Sequence, residues 1–373
     1  MKTFLLLCLM LLTIQAARAS HLLGGYIQAK PVAGSAQTYQ ITVALYMDPI
    51  YGNAAVSQAT SVSICFGDGT SGIANRQSQV LVLSKTVSIN MYQMTHTYNG
   101  PGTYVLTTSL PGRSLTQNIT DATNQVFTLS STISTNTTVP NQTPTPGFPE
   151  AGFHINLNQK ATLALKATDA EGDSLVYGLA KSFTSTYKDL CIRQTVPTYK
   201  FPNDVAQQGT FKLNNRTGDL VWDVPTREGL YSVAITINEY RNGILISQTL
   251  QEIPLFVEDR PGTPGTIPPY EPAIEGTTGI ITGISTYADA DVAFTAFPNP
   301  VNDRLQVVIQ TSNPTTATVQ LIDVNGRKLH ESAFKNLARQ HEHVIDMDGL
   351  APGVYLLRAN VGERSLVQKI VKQ

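Results

Sequence analysis

Short segments in which apolar and polar residues alternate recur along most of the chain, separated by turns rich in glycine, proline and asparagine. Residues 229–237 show the pattern most clearly, because every second residue from Tyr231 to Ile237 is large and apolar. Successive side chains of a β-strand point to opposite faces, so a period of two predicts strands with one buried face. Asn242-Gly243 follows shortly and predicts a tight hairpin turn. The sequence therefore predicts an all-β protein with many short strands.

Length and composition limit the number of domains and exclude one class of partner. A chain of 373 residues predicts two or three domains. Proline- and glycine-rich stretches at 136–150 and 259–290 are typical of linkers or extended edges, so we place folded domains at 20–135, 151–258 and 291–373. Charged residues make up only 14% of the chain, and the net charge is -1 without a basic block. We therefore expect no nucleic-acid partner.

The N-terminus has the pattern of a secretory signal peptide. Lys2 is followed by an apolar run at 4–12 and then by an A-x-A site that ends at Ala19. We expect residues 1–19 to be removed by cleavage between Ala19 and Ser20. The apolar run is too short for a transmembrane helix, which needs about 20 residues. We therefore expect no transmembrane segment in the mature chain.

Three motifs near the C-terminus follow one another in order: P-N-P at 298–300, L-A-P-G-V-Y at 350–355 and Q-K-I-V-K at 368–372. This combination resembles the type A C-terminal sorting domain of cargo proteins of the Bacteroidetes type IX secretion system. The resemblance implies a small β-sandwich over residues 291–373. It also implies a set of sorting-signal residues, namely Pro298, Asn299, Pro300, Gly353, Tyr355, Lys369 and Lys372.

The same resemblance implies a route and partners. Cargo of this kind crosses the inner membrane, folds in the periplasm and leaves through the outer membrane after the secretion machinery recognises the sorting domain. A sortase-like protease then removes the domain, and many cargoes become attached to lipopolysaccharide. We expect cleavage between about Gly276 and Phe294, in the linker, where an exposed backbone is accessible to a protease. The expected location is secreted or on the outer-membrane surface.

The first predicted domain resembles a second family. Residues 62–69 end in F-G-D-G, and H-T-Y at 96–98 and G-T-Y at 102–104 follow. This set is similar to the PKD domain, an immunoglobulin-like sandwich, although Ile64 stands where that family has an aromatic residue and the spacing to H-T-Y is longer than usual. The glycines on both sides of Asp68 favour a structural turn over a catalytic role for this acid.

The middle domain contains the strongest candidate for a metal site. D-A-E-G-D at 169–173 precedes L-V-Y, and a T-G-D-L turn follows at 217–220. This succession resembles a cadherin-like or putative immunoglobulin domain. Asp169, Glu171 and Asp173 are candidate calcium ligands, because alternate residues of an acidic loop can direct several oxygens at one cation. The alternative is a solvated hairpin turn, and we expect no other cofactor.

The mature chain keeps two of its three cysteines, because Cys8 lies in the signal peptide. Cys65 and Cys191 can form a disulfide in an oxidising compartment. They fall in different predicted domains, so two free thiols that are buried as small apolar groups are the alternative. The spacing along the chain does not decide between them.

The sequence contains none of the common catalytic motifs, such as H-E-x-x-H, G-x-S-x-G or a phosphate-binding P-loop. The leading hypothesis is an exported, non-enzymatic protein made of tandem immunoglobulin-like β-sandwiches with Pro/Gly-rich linkers, which binds an unidentified protein or glycan ligand in adhesion. The alternatives are a secreted enzyme or accessory subunit with an unrecognised site, and a structural matrix or spacer protein.

Overall fold

The computed structural model describes residues 21–35, 37–135, 139–149, 152–186, 189–276, 292–323, 326–362 and 364–373. Within these ranges the regular secondary structure is almost entirely β-strand, with two short α-helices at Asn53–Gln58 and Pro202–Ala206. The all-β prediction is confirmed.

The strands fall into three groups along the chain. The first group is β1 (Leu22–Pro31), β2 (Thr38–Met47), β3 (Ser61–Cys65), β4 (Ser71–Val82), β5 (Val87–Thr97), β6 (Thr103–Leu110) and β7 (Phe127–Ser134). The second is β8 (His154–Asn156), β9 (Ala161–Ala164), β10 (Ser174–Ala180), β11 (Phe183–Thr186), β12 (Asp189–Thr195), β13 (Thr210–Leu213), β14 (Asp219–Asp223), β15 (Gly229–Arg241) and β16 (Ile244–Glu258). The third is β17 (Val292–Phe297), β18 (Arg304–Asp323), β19 (Lys328–Asp346), β20 (Gly353–Val361) and β21 (Arg364–Lys372).

One sheet joins the first two groups, which we call the body of the molecule (residues 21–276). Within the described residues, thirteen strands from both groups form this sheet. Strand β16 pairs with β15 along nearly its whole length, with β1 through Gln251 and Glu252, and with β7 through residues 247–249. The last strand of the second group thus contacts the first and last strands of the first group. The predicted domain boundaries inside the body stay a prediction.

The predicted linker at 136–150 lies extended where it is described. Thr143 is buried, and its backbone N–H donates to the carbonyl oxygen of Ala29 at 2.9 Å. Thr145 forms a β-bridge with Thr168 of the second group. This stretch therefore behaves as an extended edge that connects the two groups.

Three main apolar cores correspond to the periodic segments of the sequence. The first lies inside β1–β7 and contains Ile27, Val43 and Leu106. The second surrounds Trp222, whose ring makes edge contacts with Phe211 and Tyr231. The third lies within β17–β21. The inward side chains predicted for β15, from Tyr231 to Ile237, are buried as expected.

The hairpin predicted at Asn242-Gly243 is confirmed. It joins β15 and β16, and both residues have positive φ, 54° at Asn242 and 79° at Gly243. Two positive φ values are the requirement of the turn whose twist matches the flanking strands, and Asn-Gly satisfies it at low cost.

In each group, a tyrosine near the start of one strand donates a hydrogen bond from its hydroxyl to the backbone carbonyl four residues upstream. The hydroxyl of Tyr104 donates to the carbonyl of Gly100 at 2.8 Å. Tyr231 donates to Arg227 at 3.0 Å, and Tyr355 donates to Ala351 at 2.7 Å. Each tyrosine ends a G-x-Y triplet, and the same corner is a hallmark of immunoglobulin-like sandwiches. The three groups share this local device.

The third group forms a sheet of its own, in the order β17-β18-β20-β21 with β19 paired to β18. The sequence predicts separate strands at 305–309 and 317–322, but the structure joins both in β18. Its pairing with β19 shifts register between Gln310 and Thr315, where Pro314 has no N–H to donate. The polar segment therefore stays extended but is irregularly paired.

Candidate functional site

The P-N-P motif and the C-terminal strand lie against each other. The side-chain amide of Asn299 donates to the carbonyl of Lys369 at 2.8 Å, and its oxygen accepts the N–H of Val371 at 2.9 Å. Val301 adds two backbone bonds, because its N–H donates to Val371 at 2.8 Å and its carbonyl accepts from Gln373 at 2.9 Å. Two motifs that are 70 residues apart thus form one structural unit, which we call the terminal clasp (residues 298–301 and 369–373).

The other predicted sorting residues lie near this unit or at the base of its neighbouring strand. Pro298 is buried and Pro300 is half-buried. Lys369 is exposed on β21, and Lys372 is half-buried. Gly353 begins β20, the strand that pairs with β21, and Tyr355 on the same strand forms its corner.

Strand β21 is the last strand in the order of its sheet. An edge strand presents backbone N–H and C=O groups that another chain can pair with. Adding a strand to such an edge is a common way in which one protein recognises another. The arrangement therefore combines a pinned chain end, the exposed Lys369 and an edge strand whose backbone the terminal clasp covers at residues 369–373.

The acidic loop of the middle region gathers four carboxyl groups. Asp169, Glu171 and Asp173 are joined by Glu239, and one oxygen from each lies within 4.8 Å of the others. Sequence analysis did not single out Glu239, although it has the same parity in β15 as the inward-facing Tyr231 and Ile237. An acid at an inward position was the signal that could have identified it.

Other groups already satisfy much of this cluster. The guanidinium Nε of Arg241 donates to both oxygens of Asp173, at 3.1 and 3.0 Å, and another nitrogen of Arg241 bonds Asn141. Asn141 in turn donates to Glu239 at 2.8 Å. Asp169 receives the backbone N–H groups of Glu171 and Asp173. The turn is thus ordered by hydrogen bonds within the described protein.

One oxygen of Asp169 and one of Glu239 are buried without a hydrogen-bond partner in the described residues. Burial, together with the neighbouring Asp169 carboxyl, raises the pKa of Glu239 to about 8. Glu239 therefore keeps its proton near neutral pH, and its carboxyl is largely neutral there. Calcium, which takes six to eight oxygens, would have to displace this proton and compete with Arg241 for Asp173. The calcium site therefore stays a prediction.

The F-G-D-G and H-T-Y motifs meet in the structure. Asp68 accepts a hydrogen bond from Thr70 and lies 2.7 Å from Nε2 of His96, whose ring stacks on Phe66. Burial would raise the pKa of Asp68, but the bonds from His96 and Thr70 outweigh it and hold that pKa below its usual value. Gly67 and Gly69 have φ of 81° and 85°, as the turn requires. The local geometry matches the structural role expected for Asp68.

Cys65 and Cys191 form a disulfide, which settles the alternative that the sequence left open. Strand β12, which carries Cys191, packs against β6, and β6 pairs with Cys65 at Thr107. The shared sheet of the body thus brings together cysteines from two predicted domains.

A buried ion pair holds the body together at the junction of its two groups. Arg113 and Glu252 are both almost fully buried and form a salt bridge. Arg113 also donates to the carbonyl of Phe183 at 2.6 Å, and Ser232 donates to Glu252 at 2.6 Å. The sequence does not reveal this pair because its partners are 139 residues apart. Its full burial and its bonds to Phe183 and Ser232 indicate a structural role.

Residues 259–276, the described part of the second predicted linker, contain no strand and are tied to the preceding strands of the body at several points, of which two are backbone bonds from glycines. Gly265 donates to the carbonyl of Asn158 at 2.7 Å, and Gly276 donates to Leu179 at 2.8 Å. The signal-peptide site at Ala19 and Ser20 lies outside the described residues, as does most of the predicted processing interval. In the described part of the chain, no helix has the length and apolar character needed to span a membrane.

Residues 295–373 match the family model of a secretion system C-terminal sorting domain. This match confirms the resemblance found at the C-terminus. The protein is therefore secreted or displayed at the cell surface. We refer to residues 292–373 as the sorting domain.

Solved structures similar to the chain include dimeric latent PorU from Porphyromonas gingivalis, with 12% identity over 95% of this chain and 34% of that one at a TM-score of 0.22. The chain thus spans about a third of the PorU chain. The BSP domain of a biofilm-associated protein shares 10% identity over 99% of this chain and 69% of its own at 0.19. A Dscam isoform shares 8% over 92% and 81% at 0.15. Because these TM-scores are low, we infer neither fold nor function from these similarities. No curated protein matches the chain.

Proposed function

We propose that the protein is a non-enzymatic binding or adhesion protein, whose body works at the cell surface or in the medium after the sorting domain has delivered it there. The claim that the sorting domain exports the protein is supported by the terminal clasp. There P-N-P and the C-terminal strand form one unit within the matched sorting domain. The binding half is supported by the β-sandwich body and by the lack of common catalytic motifs in the sequence.

Deletion of residues 366–373 tests the export half. This truncation removes most of β21 and every clasp contact made by the chain end, so we expect the protein to accumulate in the periplasm. Normal secretion of the truncated chain would overturn the address function. Lys335→Ala/Arg339→Ala is the matched control, because it removes two exposed cations from β19 of the same domain and leaves the clasp intact.

The proposed processing follows export. A sortase-like protease cleaves within the interval between about Gly276 and Phe294, and the released body becomes attached to lipopolysaccharide. Mass spectrometry of the secreted form tests this proposal. A product that ends in the interval supports processing, and a mass increment at its new C-terminus supports attachment. A secreted product that still carries Lys369 and Lys372 contradicts cleavage.

A glycan array combined with a cell-binding assay tests the binding half. The protein purified from the culture medium is applied to both, and the same samples are assayed for turnover of glycans and peptides. Binding without turnover supports the proposal. Turnover of any substrate supports the enzyme alternative, and neither binding nor turnover supports a structural spacer.

A further inference from the structure

The sorting domain is seated on the body. Asn299 forms a β-bridge with Thr103 of β6, and the side chain of Asn302 donates to the carbonyl of Asp68. A small apolar cluster of Val105, Phe297 and Val308 lies between the two parts. The contact combines few direct hydrogen bonds with a small apolar cluster. It is therefore an interface between two separate parts and not a continuous hydrophobic core.

The covered face of the body combines polar and apolar groups. We call it the Arg193 face; its polar side chains include Arg193, Lys181, Ser130 and Thr132, and its apolar side chains include Phe183 and Leu250. The sorting domain closes this cavity with Phe297, Val308, Gln310, Gln340 and Glu342. The hydroxyl of Ser130 is buried there without a hydrogen-bond partner among the described residues.

The burial of the Arg193 guanidinium is the least favourable feature of this face. Its guanidinium lies 4.6 Å from the ring centre of Phe183 in the body and 5.8 Å from that of Phe297 in the sorting domain. It is 8% exposed, its Nε has no hydrogen-bond partner, and none of the ion pairs between described residues includes it. Burial lowers its pKa, and the charge of Glu342 opposes that effect. A buried cation without a directly bound anion is unfavourable. The sorting domain covers Arg193 but does not supply an anion in direct contact with it.

The chemistry of the face defines a ligand. A guanidinium beside an aromatic ring binds a carboxylate and stacks against a flat apolar surface. The neighbouring hydroxyl of Ser130, which has no hydrogen-bond partner among the described residues, can bond a hydroxyl of a sugar ring. Glu342 brings the carboxylate of the sorting domain toward Arg193, and the nearby Glu275 is already paired with Lys181 at 3.5 Å. An acidic sugar would supply the anion, the ring face and the hydrogen-bonding groups together.

We propose that the Arg193 face is a binding site for a carboxylate-bearing glycan, and that the sorting domain covers this face until it is released. This inference rests on the proposed function, because it requires the body to act as a binding protein after export. It adds the location of the site, the class of ligand and the reason why the site is closed during transport. The cover prevents binding before the protein reaches the surface.

The test uses the full chain with a recognition sequence for a site-specific protease inserted within residues 277–291. The folded protein is cut, the sorting domain is removed through a tag placed after Gln373, and binding to immobilised oligogalacturonate is measured before and after removal. The fully methyl-esterified oligosaccharide is the uncharged control. We expect binding to the acidic probe to increase at least tenfold on removal, and binding to the ester to stay weak.

Two variants locate the site. Arg193→Gln should reduce binding of the separated body at least tenfold, whereas the exposed Arg216→Gln should leave it unchanged. Glu342→Gln lies in the sorting domain and leaves the body intact, so it should loosen the cover and increase binding by the uncut chain. Thermal unfolding of each variant shows whether the body is folded.

Several outcomes would overturn the inference. Equal binding by cut and uncut protein would exclude the cover, as would halves that cannot be separated after cutting. Lack of binding to the acidic probe, or equal binding to its ester, would exclude the ligand class. If the separated body binds cells on its own but Arg193→Gln binds equally well, the proposed function stands and this site is wrong.

Discussion

The body and the sorting domain differ in what they bury. The sorting domain has an apolar core, and His341 and Gln368 are the buried polar side chains among its described residues. The body buries two acids, two arginines and rows of serine and threonine on β7 and β16. An apolar core tolerates many arrangements, whereas buried charges require defined partners. The stability of the body should therefore depend on a few specific pairs, and that of the sorting domain on packing and on its terminal clasp.

The largest expected effect comes from breaking the Arg113–Glu252 pair. Arg113→Ala leaves Glu252 buried without its cation, and we expect a loss of about 3–5 kcal/mol in the free energy of unfolding. Urea unfolding followed by the fluorescence of Trp222, which lies in the body, measures it. The double variant Arg113→Met/Glu252→Leu should recover much of the loss. If Arg113→Ala unfolds like the wild type, the pair does not hold the body together.

Loss of the disulfide should rank next. Cys65 and Cys191 are 126 residues apart, and their bond restricts a long loop in the unfolded chain. We expect Cys65→Ser/Cys191→Ser to lower the free energy of unfolding by about 2–5 kcal/mol. Under reducing conditions the wild type and the variant should unfold at the same urea concentration. An oxidised wild type that is no more stable than the variant would contradict this.

The third prediction concerns how the free energy of unfolding of the body depends on pH. The pKa of Glu239 is raised to about 8 in the folded body, from 4.5 in an unperturbed carboxyl. The folded state therefore holds the proton more tightly, and the resulting stability is present below pH 4.5 and is lost as the pH rises toward 8. Glu239 should contribute a decrease of at most about 1.4 kcal/mol per pH unit in that window.

Glu239→Gln should remove this contribution, and the exposed Glu228→Gln should keep it. A calcium ion at the cluster would replace the proton on Glu239, so saturating calcium should also flatten the curve. Identical pH profiles for the wild type and Glu239→Gln would rule out the raised pKa of Glu239.

The smallest effects should come from the tyrosine hydroxyl bonds that all three strand groups share. Tyr104→Phe, Tyr231→Phe and Tyr355→Phe each remove one hydroxyl and leave the ring, so each should cost about 1 kcal/mol. Differential scanning calorimetry should show the first two in the transition of the body and the third in that of the sorting domain. A Tyr355→Phe variant that shifts the body instead would mean that the two parts unfold as one unit.

Sequence patterns predicted the parts of the fold that depend on local chemistry. Period-two alternation identified β15, and Asn242-Gly243 gave its hairpin because a turn with two positive φ values favours those residues. The order of three C-terminal motifs indicated the sorting domain. In each case the information lies within a few consecutive residues or in a conspicuous motif.

The contacts between distant segments could not be predicted in the same way. Pairing of β16 with β1 and β7 depends on register between strands more than 100 residues apart in sequence, and the alternation within each strand does not specify a partner. The pairing with β1 also places Glu252 where it meets Arg113, and Cys191 reaches Cys65 through the packing of β12 against β6. Glu239 was partly visible as an acid at an inward position, but its neighbours Asn141 and Ser247 come from other segments.

The central claim is that the terminal clasp is the structural unit through which the sorting domain is recognised, and Asn299→Ala tests it most directly. This variant removes both side-chain bonds to β21 and keeps every cation and the edge strand itself. Immunoblots of periplasm, cell surface and medium compare it with Asn313→Ala, which changes an exposed asparagine elsewhere in the sorting domain. We expect Asn299→Ala to accumulate in the periplasm while Asn313→Ala is exported like the wild type. Export of Asn299→Ala at the wild-type level would contradict the claim.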